Sequence, residues 1–294
     1  MQIGLSDCLM TVTRYWLRLR RNSCPRVCLA LEDPKLDEAA DLYGRAGVSF
    51  KLAKKWKQSG DAFMQKALTL DKMGERDDAT SAYLEAAKSF KKESPREAVN
   101  ALEIAVQLLS QKGRFSAAAN NQKQIAEIYE NDLADMEKAM SAYDQAGEWY
   151  SGEDSTAQAN ACMLKVAMFS ATLEQYEKAV DLFERVANKS LDNNLTKWSV
   201  REYLFKAGIC ILCIGDTVRT KTTFDRYISM DNSFGDTREY KLLESLLTAV
   251  ENEDVEEFQG HIAGFDRLSK LDEWKVSLLL RIKKKMDQDE VDFT

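Results

Sequence analysis

Proline is scarce in this 294-residue chain, with three residues, and glycine is sparse, with 13. That excludes a turn-rich β-sandwich or barrel and a low-complexity chain, and it favours long helices with short turns. Histidine is scarcer still, since His261 stands alone in a charged stretch. A lone histidine there is more often a surface or core residue than a base, and no nucleophile–base or metal-ligand constellation surrounds it. No glycine-rich phosphate loop occurs, because Gly113-Arg114-Phe115 reads as a helix turn. No catalytic residue, metal site or cofactor is therefore expected.

No stretch reaches the roughly 18–20 apolar residues of a membrane span. Arg14 and Arg18 interrupt the apolar run near the start, so it does not read as a secretory signal. The six cysteines are Cys8, Cys24, Cys28, Cys162, Cys210 and Cys213. They are too sparse for a disulfide scaffold and point to a reducing, cytoplasmic setting. Cys210-Ile211-Leu212-Cys213 has the spacing of half a zinc knuckle or a redox pair. Its apolar helical setting and the lack of a second pair make it core.

Charge is plentiful but uneven. The formal net charge is -7, against nucleic acid as a partner. Residues 1–30 hold five Arg and one Asp, whereas residues 235–294 hold 15 acids and nine Lys/Arg. Such polarity suits two ends that meet different partners. Near the start, Leu9, Val12, Trp16 and Leu19 share one helical face and Arg14, Arg18 and Arg21 another. Three readings fit: a membrane-surface helix, an organelle-targeting start, or a segment without a role.

The stretch from Leu133 to Asn188 is what the chain repeats. Ala139 leads to Tyr143 and Ala179 to Phe183, as Ala39 leads to Tyr43 and Ala79 to Tyr83. A small-to-aromatic step of four residues marks one helix face, with the small residue where a neighbouring helix crosses closely. The offsets from Ala39 to Ala79 and from Ala139 to Ala179 match one helix–turn–helix unit of a solenoid. The pattern predicts helices over 36–54, 56–73, 76–91, 95–111, 115–131, 134–150, 153–171, 174–189, 196–213, 216–229, 236–251, 254–266 and 270–286, with Pro95 in a first turn behind a Ser94 cap. The expected fold is all-α: a right-handed superhelix of TPR-like antiparallel helix pairs closed by a C-terminal helical bundle. Its parts are an atypical segment at 1–33, a repeat sheet at 34–190, the bundle at 191–286 and an acidic tail at 287–294.

What remains for function is a recognition surface. Lys51, Lys54, Lys91, Lys92, Arg114, Lys123, Lys165, Lys197, Arg201 and Lys206 recur inside the repeats. Singly each reads as a solvated helix face; together they form a basic stripe suited to an acidic helical partner. Near the end, Trp274, Leu278, Leu279 and Ile282 make an apolar face. Arg281, Lys283, Lys284 and Lys285 sit where positive charge suits that helix's own C-terminus. The tail from Asp287 to Thr294 follows, with four acids and Phe293 next to the end. Such a tail is either solvating or an anchor that a basic partner captures.

Several strings resemble the alpha-type soluble NSF attachment proteins (SNAPs). They are AGVSFKLAKKW at Ala46–Trp56, AAKSFKK at Ala86–Lys92, GRFSAA at Gly113–Ala118, IAEIYE at Ile125–Glu130 and LEQYEKAVDLFE at Leu173–Glu184. KAGICILC at Lys206–Cys213, FGDTREYKLL at Phe234–Leu243 and LLLRIKK at Leu278–Lys284 continue the series. The resemblance runs in order over residues 36–294. It implies a non-enzymatic cytosolic adaptor, peripheral on membranes, that coats the syntaxin-type four-helix SNARE bundle and recruits the hexameric AAA+ ATPase NSF. By position, Lys54, Lys92, Arg114, Lys165, Arg201 and Lys206 match the family's SNARE-facing basic residues. Asn120 and Ala161 stand where two further family lysines would be, with Lys123 and Lys165 about one turn away. Asp289, Glu290 and Asp292 match the acids that contact NSF, and Phe293 replaces the usual leucine. Glu251, Glu253 and Asp254 lie where the family presents another acidic patch to NSF. The family's usual N-terminal helix and Phe/Gly-rich membrane loop are absent, and Leu9, Val12, Trp16 and Leu19 offer a substitute membrane contact. A generic scaffold for another helical or acidic partner competes with this reading, as does a divergent SNAP that does not support disassembly.

Overall fold

The computed structural model describes the backbone of residues 33–191 and 196–292 and the side chains of 35–191 and 196–287. Among the described residues there are thirteen α-helices, one 3-10 turn and no strand. The chain divides into two compact units between Asp154 and Ser155.

The first unit holds α1 (Asp33–Leu52), α2 (Trp56–Met73), α3 (Arg76–Phe90), α4 (Pro95–Gln111), α5 (Phe115–Asn131) and α6 (Met136–Gly152). Each helix packs on the next, as short turns between antiparallel neighbours require. The pair α5–α6 is laced by three side-chain bonds: Tyr143 to Glu130 at 2.7 Å, Gln122 to Gln145 at 2.8 Å and Tyr150 to Asn120 at 2.7 Å. Residue numbers rise on one helix as they fall on the other, which is the register of an antiparallel pair.

The second unit holds α7 (Thr156–Thr172), α8 (Tyr176–Leu191), the 3-10 turn (Lys197–Ser199), α9 (Val200–Ile214), α10 (Thr217–Met230), α11 (Arg238–Glu251), α12 (Val255–Leu268) and α13 (Glu273–Asp292). Its centre is α9, which touches α8, α10, α11 and α13. The sequence prepares α9 for that place. Leu204, Phe205 and every residue from Ala207 to Cys213 are buried, so the helix is apolar nearly all round.

The small-to-aromatic steps after the first land in the core. Ala79, Ala139 and Ala179 are fully buried, with Tyr83, Tyr143 and Phe183 beside them. Each ring removed from water contributes about 1.5–3 kcal/mol. Ala39 and Tyr43, on the first described helix, stay half-exposed.

Helix starts match the sequence reading at α2 to α5; α1 begins at Asp33, three residues earlier than expected, and the helices after α5 begin one to four residues later. The cause is turn chemistry. Gly74, Gly113 and Gly215 take left-handed φ of 84°, 71° and 92°, as a helix-ending glycine does. Lys54, Ala134, Asp154, Glu174 and Glu253 take the same conformation, with φ from 52° to 64°, at turns that no glycine marks. Lys54 therefore lies in a turn, and α1 ends at Leu52. Pro95 opens α4 as expected, but the Ser94 side chain makes no cap; its carbonyl accepts from Glu97 and Ala98 instead. The last helix runs on to Asp292 rather than stopping near 286, because neither Gly nor Pro interrupts it.

Small residues let α1, α2 and α3 approach closely. Buried Ser59 donates to Gly47 O at 2.9 Å and meets Ser89 Oγ at 3.1 Å. At Gly60 an added Cβ would lie 2.4 Å from the Phe90 ring. Gly60→Ala is expected to lower stability by about 1–3 kcal/mol through this overpacking, read as an earlier urea unfolding midpoint with an unchanged slope.

Candidate functional site

The basic residues of the first unit do not gather at one point. Trp56 opens α2 directly after the Lys54 turn, and Lys92 Nζ sits 3.8 Å from its ring centroid. This cation–π contact ties the turn after α3 to the turn after α1. Nearby, Lys57 N donates to Glu93 at 3.0 Å. Lys54 and Lys92 thus share one edge of the helix stack. Arg114 opens α5 at the opposite edge, 3.8 Å from Asp77, which Lys112 also holds at 2.7 Å. The hydrogen bond and charge of Lys112 keep the Asp77 carboxyl below its ordinary range. Lys123 lies along α5, 4.0 Å from Glu127.

In the second unit, Lys165 is half-exposed on α7. Arg201 opens α9, donates to Ser233 at 3.1 Å and lies 5.8 Å from the ring of Trp198, itself 78% exposed. Lys206, one helix turn further, turns inward. Its side chain is 16% exposed, 3.6 Å from Glu202 and over the Trp274 ring.

The acidic residues behave differently. Glu251 ends α11 and pairs with Lys221 at 3.4 Å. Glu253 occupies the left-handed turn, and Asp254 caps α12 by accepting from Glu257 N at 2.8 Å. All three are exposed at one turn. Asp289, Glu290 and Asp292 lie on the last turns of α13, whose side chains are outside the described residues, as is Phe293. Leu9, Val12, Trp16 and Leu19 also lie outside them.

The two departures from the lysine pattern have distinct settings. Asn120 accepts the hydroxyl proton of buried Tyr150 at 2.7 Å. Ala161 is simply exposed on α7.

The chain's match to known proteins follows this arrangement. The family model described as "Soluble NSF attachment protein, SNAP" matches residues 27–287. The chain belongs to the SNAP family. Human alpha-soluble NSF attachment protein is 41% identical over 258 residues, covering 88% of this chain and 87% of that protein. A Schizosaccharomyces pombe protein named probable vesicular-fusion protein sec17 homolog is 40% identical, covering 88% and 90%. Alpha-soluble NSF attachment protein of Saccharomyces cerevisiae is 38% identical, covering 88% and 89%. SNAP-family membership makes this chain an attachment protein rather than an enzyme.

Sequence reasoning missed three features of this SNAP. Trp56 gave no sign of holding Lys92, because the pairing spans two turns that are distant in sequence. Lys275 is buried, yet charged, between Glu202 at 2.7 Å and Asp272 at 3.0 Å. Burial works against its charge, but those hydrogen bonds outweigh it and hold the ammonium above its ordinary pKa. Arg281 and Lys285, expected to serve their own helix end, instead reach carbonyls of α7 and α9.

The cysteine pair is core, as its setting in the sequence suggested. Cys210 and Cys213 are buried, and burial pushes the Cys213 thiol up to about 12. At pH 8 only ~1 in 10,000 such thiols is ionised. Iodoacetamide is therefore expected to leave both unlabelled in the folded protein and to label both after denaturation, read by peptide mass spectrometry.

Proposed function

We propose that this SNAP-family chain acts in vesicle fusion as the adaptor for taking apart SNARE four-helix bundles. It holds the bundle through Lys54, Lys92, Arg114, Lys123, Lys165, Arg201 and Lys206 and recruits and stimulates the NSF ATPase. Glu251, Glu253, Asp254, Asp289, Glu290, Asp292 and Phe293 form the ATPase contact. The observation that carries this reading is the convergence of three exposed acids at the α11–α12 turn, in a chain that shares this family. A basic partner surface meets them at long range and gains encounter rate. Three of the stripe residues, Lys92, Arg201 and Lys206, are held beside aromatic rings, which limits the side-chain entropy lost on binding.

The protein works at the cytosolic face of membranes without crossing them. Among the described residues, no helix is long and apolar enough to span a bilayer. Its membrane contact is Leu9, Val12, Trp16 and Leu19. Trp16→Ala is expected to reduce sedimentation with anionic vesicles, and equal binding by both forms would remove this role.

A second reading draws on Asn120 and Ala161. With two family lysines missing, the chain binds bundles without supporting disassembly. A fluorescent SNARE complex on liposomes, with NSF and ATP, separates the readings. Disassembly with the full chain, and none with a form ending at Gln288 that still binds the bundle, supports the adaptor. Binding without disassembly by either form favours the second reading. No binding by either defeats both.

A further inference from the structure

The last helix is attached to the rest of the second unit by directional bonds from Trp274 to Lys285, in addition to its apolar face. Near its start, Trp274 Nε1 donates to Met168 O at 3.0 Å. Further along, Arg281 Nη1 donates to Ala171 O at 3.2 Å and Nη2 to Thr172 O at 2.9 Å. Lys285 Nζ donates to Cys213 O at 2.6 Å and lies over the Tyr176 ring. Ala171, Thr172 and Cys213 stand in the final turns of α7 and α9, where carbonyls lack an intrahelical donor, although Ala171 O also accepts from Glu174 N in the turn at 3.1 Å. A cation there also meets the negative end of the helix dipole.

These contacts set register as well as attachment. Lys275 grips Glu202 in the first turn of α9, and Lys285 grips the carbonyl of Cys213 in its last turn. The two lysines are ten residues apart on α13, and their partners are eleven apart on α9. The helices therefore run parallel, with both ends of α9 pinned. Leu278, Leu279 and Ile282 are buried on the same helix and supply non-directional attachment. Such a face alone permits rotation or sliding, whereas a guanidinium bonded to two successive carbonyls permits neither. The acidic sequence begins at Asp287, two residues past Lys285.

We propose that Arg281, seconded by Lys285, is a positioning residue for the acidic end of α13: by capping the ends of α7 and α9 it fixes the direction in which the helix carries its last turns, from Asp287 to Asp292, towards a basic partner. The inference rests on the reading that the tail engages the ATPase. The contact is electrostatic and directional, so its loss changes presentation while the buried apolar face keeps the helix in place.

The test uses the full chain with Arg281→Ala, Arg281→Lys and Lys285→Met. Hydrogen exchange of the 283–292 amides reads positioning without any partner. Titration of ATPase stimulation then separates the concentration giving half-maximal effect from the plateau. Arg281→Ala is expected to speed exchange across 283–292 about tenfold, the effect of losing one net hydrogen-bond contribution at a helix anchor. It should also raise the half-maximal concentration, with the plateau, SNARE binding and unfolding midpoint held. Arg281→Lys keeps the cation but not the planar two-armed fork and should restore part of the effect; Lys285→Met should repeat it in weaker form. Unchanged exchange in Arg281→Ala overturns the proposal. So does a fall in SNARE binding and unfolding midpoint that keeps step with the ATPase defect, since that is a structural role alone. If the wild-type chain stimulates no ATPase, the tail reading fails, while the exchange data still decide the positioning role.

Discussion

On α3, α6 and α8 a fully buried alanine stands one turn before a buried ring. Alanine sets the distance and the aromatic supplies the buried area. Neither works alone: a larger residue would push the helices apart, and a smaller ring would leave a cavity costing about 24 cal/mol per Å³. Gly47, Ser59, Gly60 and Ser89 carry the same logic further at α1–α3, where even a methyl group meets Phe90. Everything polar in the molecule is arranged on a frame whose spacing these residues set.

The rings also carry polar ends, which the frame brings to the helix rims. Tyr143 finds Glu130, and Tyr227 finds Glu184, which also receives Arg226. Arg219 holds Glu177 with both arms. The exposed Arg219–Glu177 pair contributes little by itself, about 0.2–1 kcal/mol, whereas the tyrosine hydroxyls are bonded beside buried rings. The effect of these contacts is to choose one register from several that apolar packing would accept. The Lys275–Glu202–Asp272 group does this around a buried ammonium, where an unpaired charge would be costly, while its two carboxylates stay part-exposed.

Much of this was legible in the sequence because periodicity and burial report the same property. Ala79–Tyr83 and Ala179–Phe183 announced core faces, and the C-I-L-C run announced a buried helix. Boundaries were legible where glycine or proline stood at the turn, as at Gly74, Pro95 and Gly113. They were not where Ala134, Asp154 and Glu174 adopt left-handed backbone, since tertiary packing fixes that conformation and composition does not signal it. The candidate site divides along the same line. Glu251, Glu253 and Asp254 are neighbours in sequence, so their convergence could be read directly. The inward turn of Lys206 and the grip of Trp56 on Lys92 depend on partners far along the chain, and no local pattern encodes them.

Asn120 joins these threads. It lies on α5 where the family resemblance leads one to expect a cation, yet its carbonyl oxygen accepts the proton of a tyrosine on α6. Lysine has three donors and no acceptor, so it could not make this bond. The hydrogen bond contributes about 0.5–1.5 kcal/mol to the fold, and an exposed cation contributes about as much to one ion pair. The exchange is thus near even in energy but different in kind. It strengthens the α5–α6 lacing and removes one source of long-range attraction, which acts mainly on the rate of encounter with an acidic partner. Lys123, one turn along the same helix, keeps a positive charge close by. The expected consequence is a surface whose complexes form more slowly, and with weaker dependence on salt, than those of a relative with lysine at that position.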